Sequence, residues 1–268
     1  MNISPVSAYR FLKYACNGWF FMLKNVIRTI LSVIILALLI AGGAFAISKY
    51  VREVFPEIIL ADNPDYVNKD KRNRTIIIDP GHGGEDPGAI GINGAEEKTI
   101  NLSLSTKIKK LLEFDGYSVI MTRESDEMLL EGDISTGKKA RDLRNRLNFG
   151  SRYPDAVFVS IHMNKFPAES CRGLQVYYSG NDDASREIAA SIRDAVRTTL
   201  QPDNHREIKK ADSSIFILDN IRIPAVLIEC GFISNNDEAA LLTDQTYQCE
   251  LAAVIAGSIN VYRTGNEN

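Results

Sequence analysis

The stretch Thr75-Ile76-Ile77-Ile78-Asp79-Pro80-Gly81-His82-Gly83-Gly84 sets the architecture. Four consecutive β-branched residues make a continuous apolar run, the pattern of a strand buried on both faces. The run breaks at Asp79-Pro80, and three glycines then surround a histidine. A strand covered on both sides requires helices between strands, and the rest of the chain supplies them. Strand-like runs recur at Ser118–Thr122, Ala156–Ile161, Gly173–Tyr178 and Ala225–Ile228, with a weaker one at Ile215–Leu218. Between them lie helical stripes: Ile100, Leu104, Ile108, Leu111 and Leu112; Ile188, Ile192, Val196 and Leu200; and Leu251, Val254, Ile255, Ile259 and Tyr262. Asn181-Asp182-Asp183 offers capping oxygens for the second stripe. The expectation is an α/β domain: a twisted central sheet of about six strands, mainly parallel or mixed, flanked by helices on both faces.

Ahead of this domain, residues 29–47 are uncharged and almost wholly apolar, enough to span a bilayer. Arg10, Lys13, Lys24 and Arg28 precede that run, and Lys49 and Arg52 follow it. The asymmetry predicts a cytoplasmic segment over 1–28, one N-terminal transmembrane anchor over 29–47 and an extracytoplasmic remainder, hence a single-pass protein of the cell membrane. Ala44-Phe45-Ala46 supports a rival, a signal segment cleaved to release a secreted protein. Residues 48–73 read as a polar linker, 74–262 as the folded domain and 263–268 as a tail.

Composition narrows the function. The chain has 268 residues, 45% of them hydrophobic, ample for a sizeable core. A net charge of −3 gives no electrostatic footprint for nucleic acid. The spacing of Cys16, Cys171, Cys230 and Cys249 fits neither a zinc knuckle nor a dense disulfide framework, so these read as free thiols. Outside the cytosol a Cys171–Cys249 bridge is the rival to that reading.

The three histidines then carry the argument. His82 follows the first strand, His162 follows Ala156–Ile161, and Glu229 ends Ala225–Ile228. Open α/β sheets build their sites beyond the carboxyl ends of strands, so three strands deliver His, His and Glu to one edge. Two histidines and a carboxylate are the usual protein share of a catalytic zinc, with the fourth position left open. The carboxylate ligand falls to Glu96 or Glu97, with Asp79, Asp86 and Glu229 as rivals by composition. Asp79 is also placed to hold the second nitrogen of a ligating histidine. His205, in the polar stretch Gln201–Arg206, reads as a solvated loop residue, and no phosphate-loop pattern accounts for the glycines.

At these residues the chain resembles the zinc-dependent N-acetylmuramoyl-L-alanine amidases of bacterial cell walls. The likeness rests on Ile78–Ala89, Glu97-Lys98-Thr99-Ile100-Asn101-Leu102, Val119–Arg123, Val159-Ser160-Ile161-His162-Met163-Asn164 and Pro224–Asn235, in that order. It implies one Zn²⁺ per chain held by His82, Glu97 and His162, with Glu229 as the catalytic carboxylate. It further implies hydrolysis of the amide between N-acetylmuramic acid and L-alanine of the stem peptide. His162-Met163-Asn164-Lys165-Phe166-Pro167 is similar to the sporulation and germination subgroup, which acts on spore cortex where muramic-δ-lactam forms. Peptidoglycan is then the substrate, the chain is expected to be a monomer, and the partner to look for is an activating protein that steadies the zinc. A zinc peptidase cutting stem peptides and a non-catalytic wall-binding module are the alternatives. Arg123, directly after its strand, is the substrate-binding candidate. Lys138, Lys139, Arg141, Arg144 and Arg146, interleaved with Asp142, read as a charged helix face; the resemblance departs here from the family pattern and gives Arg146 no role.

Overall fold

The computed structural model describes residues 75–130, 136–168 and 170–265. The expected anchor and linker lie outside the described residues; within them, no helix is long and apolar enough to cross a membrane. In chain order the elements are β1 (Thr75–Pro80), α1 (Glu97–Phe114), β2 (Ser118–Met121), α2 (Lys138–Ser151), β3 (Val157–Asn164), β4 (Gln175–Tyr178), α3 (Ala184–Thr199), β5 (Lys209–Lys210), α4 (Phe216–Asn220), β6 (Ala225–Phe232), α5 (Asn236–Thr243) and α6 (Gln245–Gly265).

The strands form one six-stranded mixed sheet in the order β2-β1-β3-β6-β4-β5. Pairings from β2 through β6 are parallel, β6 with β4 is antiparallel, and β4 with β5 is parallel. The β-branched run behaves as its pattern predicts: Ile76, Ile77 and Ile78 are all fully buried, each worth roughly 1.5–3 kcal/mol. Alternation divides them between two layers. Ile76 and Ile78 join Val157, Val159, Val226 and Ile228 beneath the apolar stripes of α1, α3 and α6. Ile77 joins Phe158 and Ala225 on the other face, covered by Ile217, Leu218 and Ile221 from around α4 and by Leu143 and Leu147 of α2.

Two expectations change. Ile215–Leu218 is not a strand; its apolar residues enter the short helix α4, because a four-residue apolar run has no period that separates helix from strand. The sixth strand is instead the exposed pair Lys209-Lys210 at the sheet edge. Leu111 faces outward at 36% exposure while Ile100, Leu104, Ile108 and Leu112 are buried, so the first stripe is narrower than its sequence suggested. Asp182 Oδ1 accepts from Ala184 N at 2.9 Å at the start of α3, while Asp183, the N-cap residue, makes no side-chain capping bond. Cys171, Cys230 and Cys249 are free thiols, so the Cys171–Cys249 bridge does not form.

Candidate metal centre and catalytic carboxylate

His82 leaves β1 on a sharply turned loop. Its φ is +61°, a left-handed conformation that costs most residues free energy, and Gly83 and Gly84 continue it at +136° and +53°. The turn closes with Gly83 N to Asp86 O and Asp86 N to Gly83 O, both at 3.0 Å. It brings the Asp86 carboxylate back onto the histidine, with Oδ2 2.8 Å from Nδ1. The opposite ring nitrogen, Nε2, lies 3.3 Å from Glu97 Oε1.

Glu97 is the first residue of α1 and is 3% exposed. Its Oε2 accepts from Ala89 N at 2.7 Å, and its Oε1 from Met163 N at 3.0 Å. His162 Nδ1 is 3.0 Å from the same Oε1. Donor atoms of His82, Glu97 and His162 all lie within 4.8 Å of one another. Burial resists ionisation of Glu97, but hydrogen bonds and charge from His162 and His82 outweigh it and hold the carboxyl well below its usual range. Burial likewise opposes charge on His82, yet Glu97 and Asp86 raise its pKa above the ordinary value.

Space around the three groups is set by glycine. A Cβ on Gly81 would stand 2.2 Å from His162 Cε1, and one on Gly88 would stand 2.5 Å from Glu97 Oε2 and 2.7 Å from His82 Cδ2. Two imidazoles and one carboxylate in a glycine-lined cradle match the donor set of a catalytic zinc. These residues therefore fit the ion that the sequence pattern implies.

Glu229 stands beside this cluster on β6, at the register position directly across from His162 on β3. The pairing slips by one residue just beyond, between His162 and Asn164. Such a bulge re-aims side chains next to a site. Glu229 Oε2 is buried without a hydrogen-bond partner. Burial raises its pKa to about 7; the histidines pull it down and the Glu97 charge pushes it up. A carboxylate of this kind, adjacent to a metal site yet uncommitted, suits proton transfer.

Other site residues fall differently from expectation. Of the glutamates, Glu97 joins the histidines while Glu96 sits half-exposed beside Lys98 at 3.5 Å. Asp79 does not hold a histidine. Its oxygens accept from Thr122 Oγ1, Arg146 Nη1 and Ser160 Oγ, each at 2.6 Å, because it shares the strand face of Ile77, the one that α2 covers. Asp86, which sequence offered only as a ligand rival, takes the histidine-holding role. Arg123 is 2% exposed and donates to the carbonyls of Pro80, Gly81, Lys98 and Ser125, so it is spent on backbone and does not present itself to substrate. Arg146 is no surface residue: at 1% exposure it pairs with Asp79 and Asp142 and donates to Pro80 O and His82 O. His205 is exposed, as expected.

Comparison with known proteins supplies independent findings. Residues 76–261 match the family model described as N-acetylmuramoyl-L-alanine amidase. A germination-specific N-acetylmuramoyl-L-alanine amidase of Bacillus subtilis (strain 168) is 36% identical over 193 residues, spanning 71% of this chain and 80% of the relative. Among solved structures, the CwlD amidase of Clostridioides difficile in complex with the GerS lipoprotein is similar at a TM-score of 0.68 and 39% identity, covering 72% of this chain and all of that one. The amidase AmiC2 of Nostoc punctiforme is similar at a TM-score of 0.60 and 28% identity, covering 71% and 97%.

Proposed function

Because this chain belongs to the N-acetylmuramoyl-L-alanine amidase family, we propose that it hydrolyses the bond between N-acetylmuramic acid and L-alanine in peptidoglycan, with His82, Glu97 and His162 as the residues that hold a zinc ion. The observation that carries the mechanism is Glu229: a buried carboxylate with an unpartnered oxygen, set across one strand pairing from His162. Zinc in such a site supplies an acidified water and polarises the scissile carbonyl. The protein does the rest. Asp86 fixes which nitrogen of His82 faces the cluster, by holding Nδ1. Glu97 is kept ionised by its neighbours and anchored by Ala89 N and Met163 N. Glu229 takes the proton of the attacking water and passes it to the departing alanine nitrogen as the carbon–nitrogen bond breaks. The products are a lactyl carboxylate on the glycan and a free α-amine on the peptide.

The germination-specific relative and the spore-wall form of the His162 motif support action on spore cortex. Residues 29–47 are the proposed membrane anchor, with the enzyme outside the membrane. The lipoprotein bound to the C. difficile relative favours a protein partner for this chain too. Mass spectrometry of fragments released from spore-cortex and vegetative peptidoglycan tests the reading. Stem peptides with free L-alanine amino termini are expected. Peptides cut internally, with the muramoyl–alanine bond intact, would make the chain a zinc peptidase instead.

A further inference from the structure

The three proposed ligands come from three separate segments, so something must set the distances between them. On the His162 side the connection is direct, through Met163 N to Glu97 Oε1. Between His82 and Glu97 the chain runs through a loop of its own, and a buried side chain from elsewhere spans the gap. Arg123 Nε donates to Pro80 O at 3.0 Å, and its Nη2 donates both to Gly81 O at 3.0 Å and to Lys98 O at 2.8 Å. Pro80 and Gly81 immediately precede His82, and Lys98 immediately follows Glu97. The fork's remaining arm, Nη1, is tied to Ser125 O at 3.0 Å.

We propose that Arg123 is a positioning residue of the metal centre, whose guanidinium fixes the separation of His82 and Glu97 by clamping the backbone beside each. The inference rests on reading those two residues and His162 as zinc ligands. Three features support it. A planar guanidinium presents donors in a rigid fork, which a lysine ammonium cannot match. All four of the hydrogen bonds above end on carbonyl oxygens, a costly use of a buried cation unless the backbone geometry matters. Arg146 also binds this loop, through Pro80 O and His82 O, but its other bonds go to Asp79 and Asp142 and not to α1. Arg123 alone of the two joins both ligand-bearing segments. Asn101 adds a lesser tie from α1, its Nδ2 reaching Gly81 O at 3.1 Å.

The test is zinc affinity, measured on the full chain by competition with a chromophoric chelator, together with the visible absorption of the cobalt-substituted protein. Arg123→Lys should bind zinc ~10–100-fold more weakly, with shifted cobalt bands and an unchanged far-ultraviolet dichroism spectrum. Ile192→Val, a core change in a helix that packs on α6, β4 and β6, should lower the melting temperature and leave zinc affinity alone. A folded Arg123→Lys protein with wild-type affinity and cobalt spectrum would overturn the proposal. So would an equal loss of zinc affinity in Ile192→Val. If wild type itself takes up no zinc, the metal reading fails first and takes this inference with it. Should Arg123→Lys not fold, a crystal structure of the zinc-loaded wild type decides: bonds to Pro80, Gly81 and Lys98 support the clamp, and a guanidinium turned away from those carbonyls refutes it.

Discussion

Arg146→Met removes the guanidinium that neutralises Asp79 inside the domain. The native pair is tight and dry: Nη1 to Oδ1 is 2.6 Å, Arg146 is 1% exposed and Asp79 also 1%. Burial disfavours the Asp79 carboxylate, yet Arg146, Ser160 and Thr122 more than compensate and lower its pKa. Methionine fills much of the space but leaves that charge unanswered. Breaking a buried pair from one side costs about 3–5 kcal/mol. For a domain of this size that corresponds to a melting temperature lower by about 6–20 °C. The pH dependence has a definite sign. In wild type the depressed Asp79 pKa stabilises the fold above its unfolded value of 3.8, and that stability is lost as pH falls through the folded value. In the variant, an uncompensated buried carboxyl has a raised pKa, so its penalty is full at neutral pH and fades as Asp79 protonates on acidification. Down to about pH 4.5, above the unfolded value of 3.8, the wild-type contribution stays essentially whole, so the fading penalty in the variant is what narrows the gap. Urea unfolding followed by circular dichroism at pH 7 and near pH 4.5 reads this directly. A gap that is pH-independent, or below about 1 kcal/mol at pH 7, would refute the role assigned to the pair.

Three further outcomes follow from the same geometry. His162→Ala should abolish stoichiometric zinc in elemental analysis while keeping the dichroism spectrum, since its ring is partly exposed and outside the two main cores. Glu229→Gln should retain zinc and lose about 10²–10⁴-fold in turnover of purified muropeptides, because the amide cannot accept the proton. Gly88→Ala places a methyl 2.5 Å from Glu97 Oε2 at a φ of +69°, so zinc affinity and melting temperature should both fall, measured by chelator competition and calorimetry.

Much of this molecule was legible in its sequence, for physical reasons that also mark where legibility ends. The β-branched run at Thr75–Ile78 and the 3.6-residue stripes of α1, α3 and α6 report burial periodicity, which is local. His82, His162 and Glu229 each follow or end an apolar run, which is also local; the parallel pairing of β1, β3 and β6 brings those ends to one sheet edge. Only the resemblance singles out Glu97 over Glu96 in the sequence; in the fold it is Glu97 that lies against both histidines. What escaped was tertiary. Arg146 looks solvated among Lys138, Arg141 and Arg144; only the approach of Asp79 from β1 shows that it is buried. Asp86 displaced Asp79 as the histidine's partner because a left-handed turn reverses the chain, and no spacing rule encodes that reversal. Lys209-Lys210 is too short and polar to read as a strand until β4 supplies its pairing partner.

The central claim is that His82, Glu97 and His162 grip one zinc ion next to Glu229. Anomalous X-ray diffraction from crystals of the zinc-loaded protein, recorded on both sides of the zinc absorption edge, examines it without any variant. One peak per chain is predicted, bounded by those three side chains, with the Glu229 carboxylate adjacent but outside bonding distance. No peak there, or one ligated by Glu229 in place of Glu97, would contradict the account.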